Sequence, residues 1–337
     1  MRPVKLLLII AFLLSSCGGT SIKKTPNPDF TLAFGSCSQE NKQQPLWKAV
    51  LKNEPDVFVW GGDNIYADTD KPIVMQAAYE EQKNKPGYQK LLNAVPVLGT
   101  WDDHDYGLND GGKEWHFKEI SQQLFLDFFD VPVNSPRRNR KGVYHSEVFE
   151  TEKGSIKIIL LDTRYFRDPL VLSANPDKRY DPSKGTILGE QQWEWLEDEL
   201  RNSEADFNVI LSSIQILSVE HGFETWGNFP SEIDKLTDLI LSSEAKNIIL
   251  LSGDRHISEF SAVKIQGLKY PLTEFTSSGL THAYEDFDGE PNSNRVGEVV
   301  SEKSFGVLKF NFKKQTVEME MRGEQNKLQQ QHKLEFN

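Results

Sequence analysis

Five short apolar runs, each breaking off at a polar cluster, constrain this chain more than any other feature. Residues 30–34 end at Gly35-Ser36-Cys37-Ser38, and 56–60 end at Gly61-Gly62-Asp63. Residues 94–98 lead into Thr100-Trp101-Asp102-Asp103-His104-Asp105, 156–161 reach Asp162-Thr163-Arg164, and 247–251 reach Ser252-Gly253-Asp254-Arg255-His256. Unalternating apolar runs of this length suit strands buried on both faces. Segments with helical spacing (46–52, 117–129, 190–201 and 232–241) lie between them, so an α/β fold is expected. Ligands in such folds collect beyond the carboxyl ends of strands, and the five clusters therefore imply one composite site. Further strands are expected at 143–149 and 208–212 and, closing the sheets, at 268–277, 306–312 and 316–321. Three long loops, 167–188, 219–230 and 283–298, are expected to carry function or stay irregular. The polar, Gln-rich tail from Gly323 is expected to be mobile.

Charge narrows the partners. The 337 residues carry 38 Lys and Arg against 50 Asp and Glu, a formal net charge of -12. An acidic balance argues against a nucleic-acid surface, which rewards clustered cations. At the N-terminus, Arg2 and Lys5 precede nine apolar residues, 6–14. That run is too short for a membrane-spanning helix, which needs about 20 residues, and suits the core of a signal peptide. It ends in Leu14-Ser15-Ser16-Cys17-Gly18, which resembles the lipobox of bacterial lipoproteins. The resemblance implies a signal peptide at 1–16, lipidation at Cys17 and a tether over 17–28, with the folded domain at 29–337. The expected location is then the cell envelope, membrane-anchored through lipid on the periplasmic face or the cell surface, with the domain a monomer. With Cys17 assigned to lipid, Cys37 stands alone in a compartment that favours oxidation. It is either a small buried hydrophobe or a ligand.

The strand ends together offer Cys37, Asp63, Tyr66, Asp102, Asp103, His104, Asp105, Asp254 and His256. So many anionic groups on one sheet edge repel each other and resist desolvation unless a cation sits among them. Mixed sulfur, nitrogen and oxygen donors suit a transition metal, and carboxylates suit a harder ion beside it. Paired metals serve phosphoryl chemistry, so a polynuclear metal hydrolase is the leading reading.

The same residues resemble a known family. FGSCS at 34–38, GDNIY at 62–66, WDDHD at 101–105, Asp162-Thr163-Arg164, LGEQQWEWL at 188–196 and SGDRH at 252–256 resemble, in order, the motifs of PhoD-like alkaline phosphatases. These are a branch of the metallophosphoesterase superfamily. The resemblance implies a four-layer α/β/β/α sandwich and a phosphomonoester or phosphodiester hydrolase using Fe3+ and Ca2+. By position, Cys37 and Tyr66 would bind iron and Asp63 would bridge the metals. Asp103, Asp254 and His256 would complete the metal set, with Gln215 filling an intermediate ligand position. His104 would act as the catalytic acid, or else hydrogen-bond a ligand from behind. Arg164 would grip the phosphate, or else pair with Asp162 or Asp168. Hydroxide generated at the metals would attack phosphorus. Asp68 and Asp70 read as a solvated loop, and the roles of His221, Glu224, Trp226 and His282 stay open. The rival reading is an inactive lipid-anchored binding protein for phosphate, metal or sugar. The substrate, whether small molecule, lipid or nucleotide ester, is not legible.

Overall fold

The structure, a computed structural model, describes residues 27–336. The expected signal peptide, Cys17 and most of the tether therefore lie outside the described residues. Along the chain run β1 (Phe30–Gly35), α1 (Trp47–Leu51), β2 (Val57–Gly61), α2 (Pro72–Lys83), α3 (Pro86–Leu92) and β3 (Val97–Thr100). Next come α4 (Asp103–Tyr106), α5 (Lys118–Phe128), β4 (His145–Thr151), β5 (Gly154–Leu160), β6 (Val171–Leu172), β7 (Tyr180–Asp181), α6 (Gly189–Arg201) and β8 (Phe207–Leu211). The remainder is α7 (Pro230–Ser242), β9 (Ile248–Ser252), β10 (Ser258–Val263), β11 (Leu272–Ser277), β12 (Arg295–Val300), β13 (Phe305–Asn311), β14 (Thr316–Arg322) and β15 (Leu328–Glu335). Among the described residues, no helix is long and apolar enough to cross a membrane.

Two sheets are stacked face to face. One has six strands in the order β15-β14-β13-β1-β2-β3, the other seven in the order β12-β10-β11-β9-β8-β5-β4. The central strands β1, β2 and β3 run parallel in the first sheet, and β5, β8, β9 and β11 run parallel in the second. Pleating assigns alternate residues to opposite faces. Leu32, Phe34, Val57 and Val59 of the first sheet meet Ile156, Ile158, Leu160, Val209 and Leu251 of the second in an inter-sheet core. Ala33, Phe58 and Trp60 point the other way, against Trp47 of α1, Met75 of α2, Tyr88 of α3 and Phe125 of α5. Ile159, Ile210 and Leu250 likewise meet Trp193 of α6 and Leu236 of α7. The architecture is therefore helix, sheet, sheet, helix. Strands buried on both faces explain the apolar runs.

The tail departs from expectation. Residues 328–335 form β15, paired antiparallel with β14 in register Val317 to Leu334 and Met319 to His332. Leu334 and Phe336 lock into the inter-sheet core, Gln330 on the Leu334 face hydrogen-bonds Glu298 of β12, and Gln329 and Gln331 lie on the opposite face of this edge strand. Polar residues thus stand on both faces of β15, and the backbone is held by its ladder with β14.

Candidate metal centre

Glycines bring the strand ends within reach of each other. At Gly62, φ is +100° and an added Cβ would lie 2.6 Å from the Asp102 Cβ, so the β2 and β3 ends press together only here. At Gly253 an added Cβ would lie 2.5 Å from Ser36 Oγ and 2.7 Å from the Gly61 carbonyl. Here the end of β9, in one sheet, meets the ends of β1 and β2 in the other. Bridging Ser36 to Ser278 adds the end of β11.

Four of the residues then turn inward with left-handed backbone: Cys37 (φ 61°), Asp63 (51°), Asp254 (68°) and His256 (56°). Such conformations cost on the order of 1 kcal/mol each and persist where surrounding structure imposes them, commonly at functional sites. The result is three overlapping groups whose donor atoms lie within 4.8 Å of one another: Cys37, Asp63 and His256; Asp63, Asp103 and His104; Asp102, Asp103 and Asp254. Asp63 belongs to the first two and Asp103 to the last two, so the groups form a continuous chain. Tyr66 joins the first, its hydroxyl donating to Asp63 Oδ2 at 3.2 Å and lying 3.0 Å from His256 Nε2. Cys37 Sγ donates to Asp63 Oδ2 at 3.3 Å and lies 2.9 Å from Ser278 Oγ.

The electrostatics describe donors short of positive charge. Burial raises the Cys37 thiol to about 11 and, with Cys37 beside it, lifts Asp63 well above the carboxylate range. Burial and the surrounding carboxylates, opposed by Arg255, bring Asp254 to about 7. Burial, with His104 and Arg255 nearby, holds His256 down at about 4. Asp102 Oδ2 and Asp103 Oδ1 are buried and have no hydrogen-bond partner among the described residues. Cations would remove each of these penalties, so the residues present fit a polynuclear metal site.

His104 stands at the rim, stacked on Tyr66 with ring centroids 4.0 Å apart. Its Nδ1 lies 2.8 Å from Asp68 Oδ2, so Asp68 is no free loop residue but the group that orients this imidazole. Burial opposes a proton on His104, yet Asp63, Asp68 and Asp103 together hold it up at about 10. Asp70 enters none of these groups.

Arg164 differs from its expected role. Its side chain is fully buried and its guanidinium is committed, Nε donating to Asp102 at 2.6 Å and Nη1 to Glu224 at 2.7 Å. Glu224 also pairs with Arg167 at 3.0 Å. The ion-pair alternative is thus right in kind but not in partners: Asp162 takes the backbone N–H of Arg164 and not its guanidinium, and Asp168 pairs with Lys113. A strand-end arginine looks alike in sequence whether it faces outward or inward. Gln215 is buried, its Nε2 donating to Glu259 and Thr276, while its Oε1 has no hydrogen-bond partner among the described residues and stays free to meet a cation.

The open loop residues separate. Trp226 is a core residue, its indole donating to Ser212 Oγ. His282 packs on His256 at 4.4 Å and Tyr66 at 5.2 Å, so it belongs to the rim. His221 lies beside Phe223, outside the three groups. Asp68, expected in a solvated loop, and Glu224, whose role stayed open, are placed by the structure, and Asp102, one of the strand-end donors, joins the Asp103 and Asp254 group. Of these, Asp102 alone sits inside a strand-end motif, that of 101–105.

Two sheets stacked between helical layers, with a thiol, a phenol, imidazoles and carboxylates converging at their strand ends, define a metallophosphoesterase-like protein. The model of the PhoD-like phosphatases matches residues 32–334, and the chain belongs to that family. Alkaline phosphatase D of Bacillus subtilis (strain 168) is 25% identical over 324 residues, covering 79% of this chain and 54% of the relative. The chain therefore spans about half the length of that curated relative. A solved structure of PhoD superposes with a TM-score of 0.72 at 20% identity, covering 88% of this chain and 66% of that one. A dimetal phosphatase from Danio rerio gives 0.51 at 13% identity, covering 92% of this chain and 100% of that one. These likenesses support the four-layer fold.

Proposed function

We propose that this chain is a metal-dependent phosphate-ester hydrolase acting on phosphomonoesters or phosphodiesters. The observation that carries the reading is the chain of three donor groups joined through Asp63 and Asp103. Thiol, phenol and imidazole donors at Cys37, Tyr66 and His256 suit Fe3+, and the carboxylates Asp102, Asp103 and Asp254 suit Ca2+. Cations held there would lower the pKa of water and offset charge on the phosphoryl oxygens. The protein's own contribution lies at the rim. His104, held by Asp68, keeps a proton at Nε2 to give to the leaving alkoxide. Tyr66 fixes the plane of that imidazole by stacking.

The reading extends to location. The apolar run ending at Cys17 supports a lipid-anchored protein of the bacterial envelope, which palmitate labelling and its loss in Cys17→Ala would test.

Hydrolysis of p-nitrophenyl phosphate and bis-p-nitrophenyl phosphate, with metal analysis of protein purified without chelator, tests the function directly. EDTA treatment is expected to lower the rate by about 10³-fold or more, restored by added iron and calcium. Metal-bound protein inert toward both esters would favour the binding-protein alternative.

Asp68→Asn tests the rim. With metals neutralising Asp63 and Asp103, Asp68 is the anion left to His104. Its removal lowers the His104 pKa, so the alkaline limb of the pH–rate profile is expected to move to lower pH. The rate at the optimum should fall about tenfold, the scale of a residue acting behind another. An unchanged profile would reject the dyad.

A further inference from the structure

Arg164 cannot reach a substrate, which leaves the site without a guanidinium for phosphate oxygens, and one other candidate stands in it. Arg255 lies between Asp254 and His256, in the same turn that supplies two of the donors. Its guanidinium carbon lies 4.2 Å from the Phe223 ring centroid. The neighbouring Glu224 reaches Arg164 and, through it, Asp102. Arg255 is thus anchored to the cluster from both directions. Its Nε has no hydrogen-bond partner among the described residues, and its Nη2 pairs with Glu290 at 2.6 Å.

Glu290 belongs to an arch of chain between β11 and β12. Residues 285–291 include Glu285, Asp286, Asp288 and Glu290, and Gly289 has φ +113° with open space around it. The arch is pinned at its ends, where the Tyr284 N–H donates to the His256 carbonyl at 2.8 Å and Asn292 Nδ2 donates to Glu259 and Ser261. Between those pins, the Arg255–Glu290 pair is the only side-chain hydrogen bond or ion pair made among the described residues. The two side chains are only 12% and 10% exposed, so Glu290 leaves only where another anion takes its place on the guanidinium, whose planar fork matches phosphate.

We propose that Arg255 is the substrate-binding guanidinium of this site and that Glu290 is its resting counter-ion, displaced when the phosphate of an ester or inorganic phosphate arrives. This rests on the phosphate-ester reading above. It makes the arch a gate that opens by exchange of one anion for another. The geometry requires no covalent step.

Competitive inhibition by inorganic phosphate, measured alongside KM for p-nitrophenyl phosphate on metal-loaded protein, tests it. Arg255→Gln is expected to raise both the phosphate Ki and KM about tenfold or more, with Arg255→Lys between it and wild type. Glu290→Gln is expected to lower both about threefold or more, because the guanidinium no longer has to be taken from a carboxylate. In the Arg255→Gln background, Glu290→Gln should add nothing. A purely structural clamp has the opposite sign: Glu290→Gln would then raise KM and leave the phosphate Ki unchanged or higher, which would overturn the proposal. An unchanged Ki in Arg255→Gln would do the same. Thermal melts of each variant identify any that fail to fold, and Arg255→Lys keeps the test decisive if Arg255→Gln is one. If the wild type hydrolyses neither ester, the phosphatase reading fails separately, and calorimetric titration with inorganic phosphate still tests the same order of affinities.

Discussion

Asp63→Asn is expected to abolish ester hydrolysis, with a loss of about 10³-fold or more, well beyond the 10–100-fold typical of a residue that only supports a ligand. Asp63 is the one side chain shared by the Cys37–His256 group and the Asp103–His104 group, so its charge serves both. Asn keeps the size of the side chain and tolerates the left-handed backbone found there at φ 51°, so the fold should survive. The stability of the metal-free protein gives a second, sign-specific readout. Burial and the Cys37 thiol raise the Asp63 pKa in the folded state. A carboxyl raised in this way favours folding below its unfolded pKa, and that contribution is lost as pH rises through the folded value. At pH 8 the metal-free variant should therefore be at least as stable as metal-free wild type, while metal addition should stabilise only the wild type strongly. Rates, metal content and thermal melts with and without EDTA check each part. A variant with normal activity and normal metal content would remove Asp63 from the site.

The fold was legible where burial leaves no choice. Central strands such as β2 and β9 are apolar on both faces because helices cover one face and the opposing sheet the other. Helix α2 was not legible, and the reason lies in its surface. It buries Met75, Tyr79 and Gln82 while leaving Ile73 and Val74 72% and 45% exposed, which blurs the helical stripe. Strand β15 was hidden because it is an edge strand with polar residues on both faces, Gln330 and His332 meeting the other sheet through polar and ring contacts instead of an apolar alternation. In the site, Cys37, Asp63, Tyr66, Asp103, Asp254 and His256, which the resemblance assigns to metal, lie together with His104, which it assigns to acid catalysis. What spacing could not convey is direction. Asp68 folds back onto His104, Arg164 points away from solvent, and Gln215 turns toward Glu259. Each depends on a partner distant in sequence, and one chain carries no record of which carboxylate meets which cation.

Arg164→Met is expected to cost stability before it costs substrate affinity. The guanidinium stands between Asp102 and Glu224, all three side chains at most 2% exposed. Removing one partner of a buried ion pair typically costs about 3–5 kcal/mol, because the remaining charges stay buried without compensation. Glu224 keeps Arg167, so the larger share falls on Asp102. For a domain of this size the melting temperature should drop on the order of 10 °C. The charge left on Asp102 also makes the Asp102–Asp103–Asp254 group more attractive to a divalent cation. Added calcium should therefore recover part of the lost stability, and recover more in Arg164→Met than in wild type at equal concentration. Metal-saturated Arg164→Met should then show KM for p-nitrophenyl phosphate within about twofold of wild type, unlike the tenfold rise expected for Arg255→Gln. A large rise in KM with an unchanged melting temperature would mean that Arg164 leaves its carboxylates to meet the substrate, and the division of labour between the two arginines would be reversed.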